Sequence, residues 1–388
     1  MIAAALIAGL LAQASQPSGF VSVFGDHFPN RDATELRARV FAEEQVDAGS
    51  RLRLTASGFV EGLLADRDGT VTDAVFEPRD VTLTVKTRRA ELTAGLGRVV
   101  WGRLDELQPT DVVNPLDLSR FFFEGRGEAR LAVPLVRGKL FAGDKASIEA
   151  VYVPFFRRAR FDSLDESTSP FNLAPAAAAA DRIPARIAAN AQGGARVSVT
   201  SGRVDWSISG YDGFRPFGLY SLTPAGLERS YARFTMVGAD FETAKGAWAA
   251  RGEVAVFPRD AFQPPASAAI VDGSSFDAGG GVDRKAGDYR VSGDVLVHRE
   301  SHDGASRTDV SVIASVDREF ARQKYAGRLF AVYNAGQGSG FVRGIASASL
   351  RDNVALEGSI GWFAGNGDDT ISRFADSDFL YVRLKYFF

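Results

Sequence analysis

What most constrains this chain is an alternation of period two that recurs from near Gly19 to its last residue. Val310, Val312, Ala314 and Val316 alternate with Asp309, Ser311, Ser315 and Asp317. Val354, Leu356, Gly358, Ile360 and Trp362 alternate in the same way with Ala355, Glu357, Ser359, Gly361 and Phe363. Successive side chains of a strand point to opposite faces, so each segment reads as a strand with one apolar and one largely polar face. A soluble antiparallel sheet wet on one side would also read this way.

The spacing of the turns separates the two cases. Short polar connections fall at Asp47–Ser50, Gly143–Asp144, Ser201–Gly202, Ala244–Lys245, Ala286–Gly287 and Arg351–Asn353. Between them lie longer ones, among them Gly102–Gly127, Phe155–Asn190, Phe214–Arg229 and Pro258–Ser274. Short turns at one end and long loops at the other are the plan of a transmembrane barrel. Strands of about ten to thirteen residues exceed the soluble norm and match a tilted membrane span. The segments predict an all-β fold, a transmembrane antiparallel barrel of about eighteen strands with short periplasmic turns and long extracellular loops. The first strand, over Gly19–Gly25, is the shortest, and it is kept because without it the count is odd and the N-terminus would lie outside; a closed barrel also disfavours an unpaired edge.

Aromatic residues give an independent indication. On the apolar face, Trp206, Trp248, Tyr289, Tyr325 and Tyr386 fall near short-turn ends, and Tyr152, Tyr333 and Trp362 near long-loop ends. Tyr325 and Tyr333 share one strand and face, which at ~3.3 Å per residue and ~40° tilt sets them roughly 20 Å apart along the membrane normal, near the spacing of two interfacial girdles.

Ile2–Leu11 is an apolar run followed by Ala12-Gln13-Ala14, the form of a signal-peptide core and cleavage site over residues 1–14. The positive flank is missing, and a buried N-terminal helix is the alternative. Residues 15–388 then form one barrel domain in the bacterial outer membrane, in contact with its lipid. The balance of 45 basic and 48 acidic residues gives a net charge of −3, which argues against nucleic acid as a partner. There is no Cys, which removes disulfides, thiolate metal sites and cysteine nucleophiles.

The polar face carries charges of both signs: Arg37, Arg39, Arg51, Arg53, Glu61, Lys86, Arg203, Asp205, Arg251, Glu253, Arg290, Asp294, Arg328, Arg343, Glu357, Arg383 and Lys385. A charge facing lipid at the midplane costs about 2–4 kcal/mol, so these residues are expected to line a water-filled lumen or pair with one another across strands. Their arginine excess suggests an anion preference for small solutes. Trp101–Gly127 breaks the alternation, with two prolines, the charged Asp105, Glu106, Asp111, Asp117 and Arg120, and Phe121-Phe122-Phe123. It is a candidate constriction folded into the lumen; a self-packed extracellular loop is the alternative. In Phe155–Asn190, the Ala176–Ala180 run reads as a short helix or a mobile stretch.

Catalytic chemistry has little to stand on. His298 and His302 are spaced like a metal pair on a helix, but the alternation puts them at a strand end and a loop. Gly279-Gly280-Gly281 lies in a strand with no helix after it, which suits a closely approached wall better than a phosphate cradle. No catalytic residue, metal or cofactor is expected. The function expected is a solute channel; a transporter of a hydrophobic or bulky compound and a structural or adhesion barrel with a closed lumen are the alternatives.

Two resemblances add to this. Phe379–Phe388 alternates and ends on Phe388, and it resembles the C-terminal signal that outer-membrane proteins present to the barrel-assembly machinery. Gly97-Arg98-Val99-Val100-Trp101-Gly102, then Asp111–Leu118 and Ile148–Pro154, resemble a proteobacterial outer-membrane family catalogued as a domain of unknown function. The likeness covers roughly residues 90–160. It implies a porin-like barrel serving export or uptake of a bulky or hydrophobic compound, and brings no catalytic residues.

Overall fold

A computed structural model describes residues 17–65, 73–161, 171, 179–264 and 269–388. The candidate signal segment and residues 172–178 of the alanine-rich stretch lie outside them. In chain order the strands are β1 (Ser18–Phe28), β2 (Ala33–Ala48), β3 (Leu52–Ala65), β4 (Asp73–Lys86), β5 (Ala90–Gly97), β6 (Val133–Ala142), β7 (Ala146–Val153), β8 (Ala180–Arg182), β9 (Gln192–Ser201) and β10 (Val204–Phe214). They continue as β11 (Leu219–Thr223), β12 (Gly226–Ser230), β13 (Arg233–Lys245), β14 (Trp248–Phe262), β15 (Val271–Ala286), β16 (Tyr289–His302), β17 (Ala305–Phe320), β18 (Tyr325–Asn334), β19 (Ser339–Arg351), β20 (Val354–Ala364) and β21 (Phe379–Phe387).

Eighteen of them form one antiparallel sheet. Each pairs with the next along the chain, and β1 pairs with both β2 and β21, which closes the ring. β1 runs on to Phe28, three residues past the expected end, in register with β2 from Ser18↔Glu43 to Phe28↔Ala33. With no edge left, every strand can satisfy its backbone groups within the sheet, the condition for crossing lipid. Among the described residues no helix is long and apolar enough to cross a membrane.

Alternation sorts the faces. Val312 on β17, Leu329 on β18, Val342 on β19, Ile360 on β20 and Val382 on β21 are exposed on the outside. Their chain neighbours Ile313, Phe330, Arg343, Ser359 and Arg383 are buried on the inside. All eight aromatics expected in the girdles are exposed, from 36% for Trp206 to 60% for Trp362. Such an apolar belt around a closed barrel places the chain in the bacterial outer membrane.

The short connections meet at one rim, with Gly202 and Gly246 at φ 63° and 62° in two-residue turns whose left-handed backbone suits glycine. At the other rim the regular contrast of long and short fails at three connections: β16 and β17 join through Asp303-Gly304 alone, and β1–β2 and β18–β19 join through four residues each. Two expectations about that rim are corrected. Pro258–Ser274 is mostly strand, since a register shift between Phe257 and Asp260 lets β14 pass Pro258; proline is tolerated at such a bulge. The Phe214–Arg229 connection carries its own hairpin, β11–β12, extended by parallel pairing of β12 with β8.

Candidate channel interior

At Gly97 the chain leaves the wall and returns at Val133 as β6. The residues between fold inward, and the motif residues hold that shape. Asn114 Oδ1 accepts from Val99 N (2.7 Å), while its amide donates to the Gly97 carbonyl (3.2 Å) and the Leu131 carbonyl (2.8 Å), tying both ends of the excursion together. Asp111 accepts from Arg126 Nε (3.0 Å) and Arg130 Nε (2.8 Å). Asp117 caps α1 (Leu118–Glu124), accepting from Ser119 Oγ (2.8 Å) and the Arg120 amide (3.4 Å).

The first part of the segment docks on the wall around β6, β7, β10, β13 and β14. Val99, Trp101 and Val113 are buried there with Leu135, Val153, Tyr211, Phe234, Met236 and Phe257. Trp101 Nε1 donates to Glu149 Oε1 (2.8 Å). Glu253 of β14 accepts from the Leu104 amide (2.6 Å), the Thr110 amide (3.1 Å), the Thr110 hydroxyl (2.9 Å) and the Arg103 amide. Arg103 reaches Asp240 (2.5 Å), which also takes Arg196 (2.9 Å). Asp105 meets Arg251 (3.1 Å) and Arg290 (3.8 Å), and Glu106 meets Arg328 (3.0 Å).

The second part docks on nearly the opposite side of the ring, against β1 and β17–β21. Phe122 and Phe123 are buried among Phe28, Phe171, Phe341, Phe363, Phe374, Phe379 and Tyr381. Below them sits a charge network. Glu61 takes Arg39 (2.5 Å), Arg120 (2.8 Å) and Arg37 (3.5 Å); Glu124 takes Arg39 (2.7 Å) and Arg383 (2.9 Å). Arg343 donates to the Phe123 carbonyl, to Ser359 Oγ (3.0 Å) and to Tyr381 Oη (2.8 Å), whose hydroxyl in turn reaches Glu357 (2.5 Å). Burial alone would raise the Glu124 carboxyl, but Arg39, Arg383 and Arg120 outweigh it and hold it well below the usual carboxylate range. Burial pushes the Glu106 carboxyl up, and Arg328 offsets only part of the shift.

The structure thus brings Asp105 against Arg251 and Arg290, Glu106 against Arg328, and Arg120 against Glu61, while Arg37, Arg39, Arg343, Glu357 and Arg383 of the inner face are gathered around Glu61, Glu124, the Phe123 carbonyl and Tyr381. Others stand apart. Arg51 and Arg203 lie in turns at the short-turn rim, beyond their strands. Arg53 pairs with Asp47 (2.8 Å) and Asp205 accepts from Thr200 (2.5 Å) near the same rim. Asp111 and Asp117 shape the segment itself. Asp294 is buried over Gly281, where an added Cβ would lie 1.6 Å from its Oδ1; at Gly279 a Cβ would meet the Leu104 side chain at 2.7 Å. Close approach therefore accounts for both of these glycines.

Sequence reading missed Glu149, Arg196 and Asp240, though their strand phase puts them inward, and Arg79 and Arg98, which line the cavity described next. His298 bonds Asp277 (2.5 Å), and His302 closes β16 instead of lying in the loop. Among the described residues no group of three His, Asp or Glu is arranged to hold a metal ion.

A cavity of about 460 Å³ remains between the end of α1 and the wall of β1, β2, β4 and β18–β21. Its lining includes Arg39, Arg79, Arg98, Arg328, Arg343, Arg383 and Lys385 against Glu43, Glu106, Glu124, Glu128 and Glu357, with Phe20, Phe41, Phe121, Phe122, Phe123, Phe330 and Phe341.

No family model matches the chain, and no curated protein matches it in sequence. Solved structures do match in fold. OccK8 (OprE) of Pseudomonas aeruginosa superposes with TM-score 0.60 at 8% identity, over 96% of this chain and 98% of that one. The outer membrane protein OpdK of Pseudomonas aeruginosa gives 0.57 at 11% over 96% and 98%, and has also been solved with vanillate. OccAB3 of Acinetobacter baumannii gives 0.56 at 9% over 96% and 99%. The porin-like barrel expected from the motifs is the observed fold, and this chain is similar in architecture, end to end, to outer-membrane proteins of this kind.

Proposed function

We propose that the chain, from residue 15 onward, is a single-domain diffusion channel for small organic anions. Residues 101–127 narrow its interior, and solutes pass between that segment and the inner wall of β1, β2, β4 and β18–β21. The cavity lining carries the reading: seven basic side chains face five carboxylates, with phenyl rings between them. Such a lining offers guanidinium forks to a carboxylate and ring faces to a flat apolar body. Vanillate, held by OpdK, is an aromatic carboxylate and fits that description.

Arg39, Arg343 and Arg383 are the wall residues expected to meet the solute, with Arg251, Arg290 and Arg328 lining the side that Asp105 and Glu106 neutralise. A catalytic role has no support in this arrangement. The strand ending at Phe388 serves recognition by the barrel-assembly machinery.

The test is a single-channel recording of the purified barrel in a planar bilayer under a potassium chloride gradient. Open steps with a reversal potential favouring chloride, reduced by millimolar benzoate-type anions, are the expected result. A silent barrel would instead support a closed-lumen structural or adhesion role.

A further inference from the structure

The arginines inside the barrel are nearly all paired with carboxylates, whereas a row of cations on the outside has none. Lys245 ends β13 at the short-turn rim, Arg284 and Arg318 lie two residues before the ends of β15 and β17 at the same rim, and Lys324 stands in the turn before β18. Register puts the first three on the lipid-facing side: Lys245 opposes Trp248, Trp248 opposes Arg284, and Arg318 opposes Tyr289. All four are exposed. Among the described residues none has a carboxylate within ion-pair distance. Of the acids near them on the same strands, Glu242, Asp283 and Asp317 point inward and are taken by Arg251, Arg290 and Arg328, and Glu319, next to Arg318, lies on the opposite face of β17 by alternation.

Three of the cations lie over aromatic rings instead. Arg284 is 5.0 Å from the Trp248 ring centroid, Arg318 is 4.7 Å from Tyr289 and 5.6 Å from Phe320, and Lys324 is 5.6 Å from Tyr325. Such stacking orients a cation but leaves its charge unneutralised. A lipid-facing cation is tolerated only near the interface, so these residues sit where phosphate headgroups lie. The short turns mark that interface as the periplasmic one. Next to Phe320 and Tyr325 an apolar depression of about 660 Å³ opens on the outer face, floored by Gly344, Ala346 and Gly358.

We propose that this rim is a binding surface for an acidic phospholipid of the periplasmic leaflet, its phosphate held by Arg318 and Lys324 beside the depression, in which an acyl chain lies, while Arg284, two strands from Arg318, extends the positive field along the rim. A second copy of the chain fits less well. A two-fold contact sets the same patch against itself, here cation against cation.

The experiment is native mass spectrometry of the full barrel released from detergent with equal amounts of phosphatidylglycerol and phosphatidylcholine. The parent is expected to keep phosphatidylglycerol roughly tenfold or more in excess, and the Arg284→Gln/Arg318→Gln/Lys324→Gln variant to lose that preference. Assembly of the variant is checked by its heat-dependent shift on gels. A salt titration of the parent provides a second arm that needs no variant, since headgroup preference must fall as salt shortens the Debye length. Equal retention of both lipids by the parent, a preference unchanged in the assembled variant, a preference insensitive to salt, or a dimer that persists after delipidation would each overturn the proposal.

Discussion

Leu104 and Phe122 belong to the same inward segment and dock on different walls of the same barrel, about a third of the ring apart, but different forces hold them. Around Leu104 one carboxylate, Glu253, receives three backbone amides and a hydroxyl. Around Phe122, ring centroids lie 5.0 Å (Phe363), 5.1 Å (Phe374) and 5.3 Å (Phe341) away, mostly edge to face. The first anchor depends on a buried negative charge and on donors that have no other partner. The second depends chiefly on apolar area and ring geometry, backed by the ion pairs that Arg120 and Glu124 of the same helix make with the wall. A segment held in both ways behaves as a brace across the barrel, so loosening one end should leave the other docked.

The largest expected effect tests the aromatic end. Phe122→Ala should cost about 3–5 kcal/mol, the usual range for emptying a buried phenyl site. The midpoint of urea unfolding in lipid vesicles measures it. Channel recordings should show a noisier open level, because α1 would be free to move while the Glu253 end stays in place. A loss under about 1 kcal/mol would mean that the ring cluster does not hold the segment.

A smaller effect tests the other end. Glu253→Gln keeps one acceptor oxygen and removes the charge that strengthens the bonds, so a loss of about 2–3 kcal/mol is expected by the same unfolding measurement. Combining it with Phe122→Ala sharpens the comparison. Independent anchors on different walls give additive losses within about 0.5 kcal/mol, and a larger deviation would show that the segment docks as one unit.

These two anchors were not equally legible. Phe121-Phe122-Phe123 beside acids suggested a segment packed in the lumen, with a self-packed extracellular loop as the alternative, because a solvated loop has little use for such a cluster. Glu253 was legible as inward-facing by strand phase, but its partners were not: backbone amides some 150 residues earlier leave no mark in local sequence. The closed ring was the most legible feature of all, since lipid on one side forces apolar residues at every second position. Phase also misled in places. It carried Arg51 and Arg203 past the strand ends into turns, and Pro258 hid a bulge that lengthens β14. The residues that carried the resemblance are architectural here: Trp101, Asp111, Asn114 and Asp117 hold the shape of the segment.

The smallest effect concerns pH, and it separates two carboxyls of the same segment. Glu124, at the aromatic end, is held well below the ordinary carboxylate range. Its stabilising contribution is present above the unfolded value of 4.5 and is lost only as the pH falls through its depressed folded value. Glu106, past Leu104, is shifted the other way by burial. The native state takes up that proton before the unfolded chain does, so stability rises as the pH falls through the raised value of Glu106 and declines as the pH climbs back. Between neutral pH and about 4.5, the ordinary glutamate value, Glu106 should therefore lose its charge while Glu124 keeps it. Among the described residues Arg328, 3.0 Å from Glu106, then retains Asp317 at 3.5 Å as its ion-pair partner, and the wall gains up to one positive charge. Acidification over that window should raise the anion-to-cation permeability ratio modestly, by under about twofold, with no loosening of the aromatic anchor. Reversal potentials recorded across the window read this directly. Glu106→Gln should flatten the profile at the acidic value; a parent profile that is already flat would assign the raised carboxyl no part in selectivity.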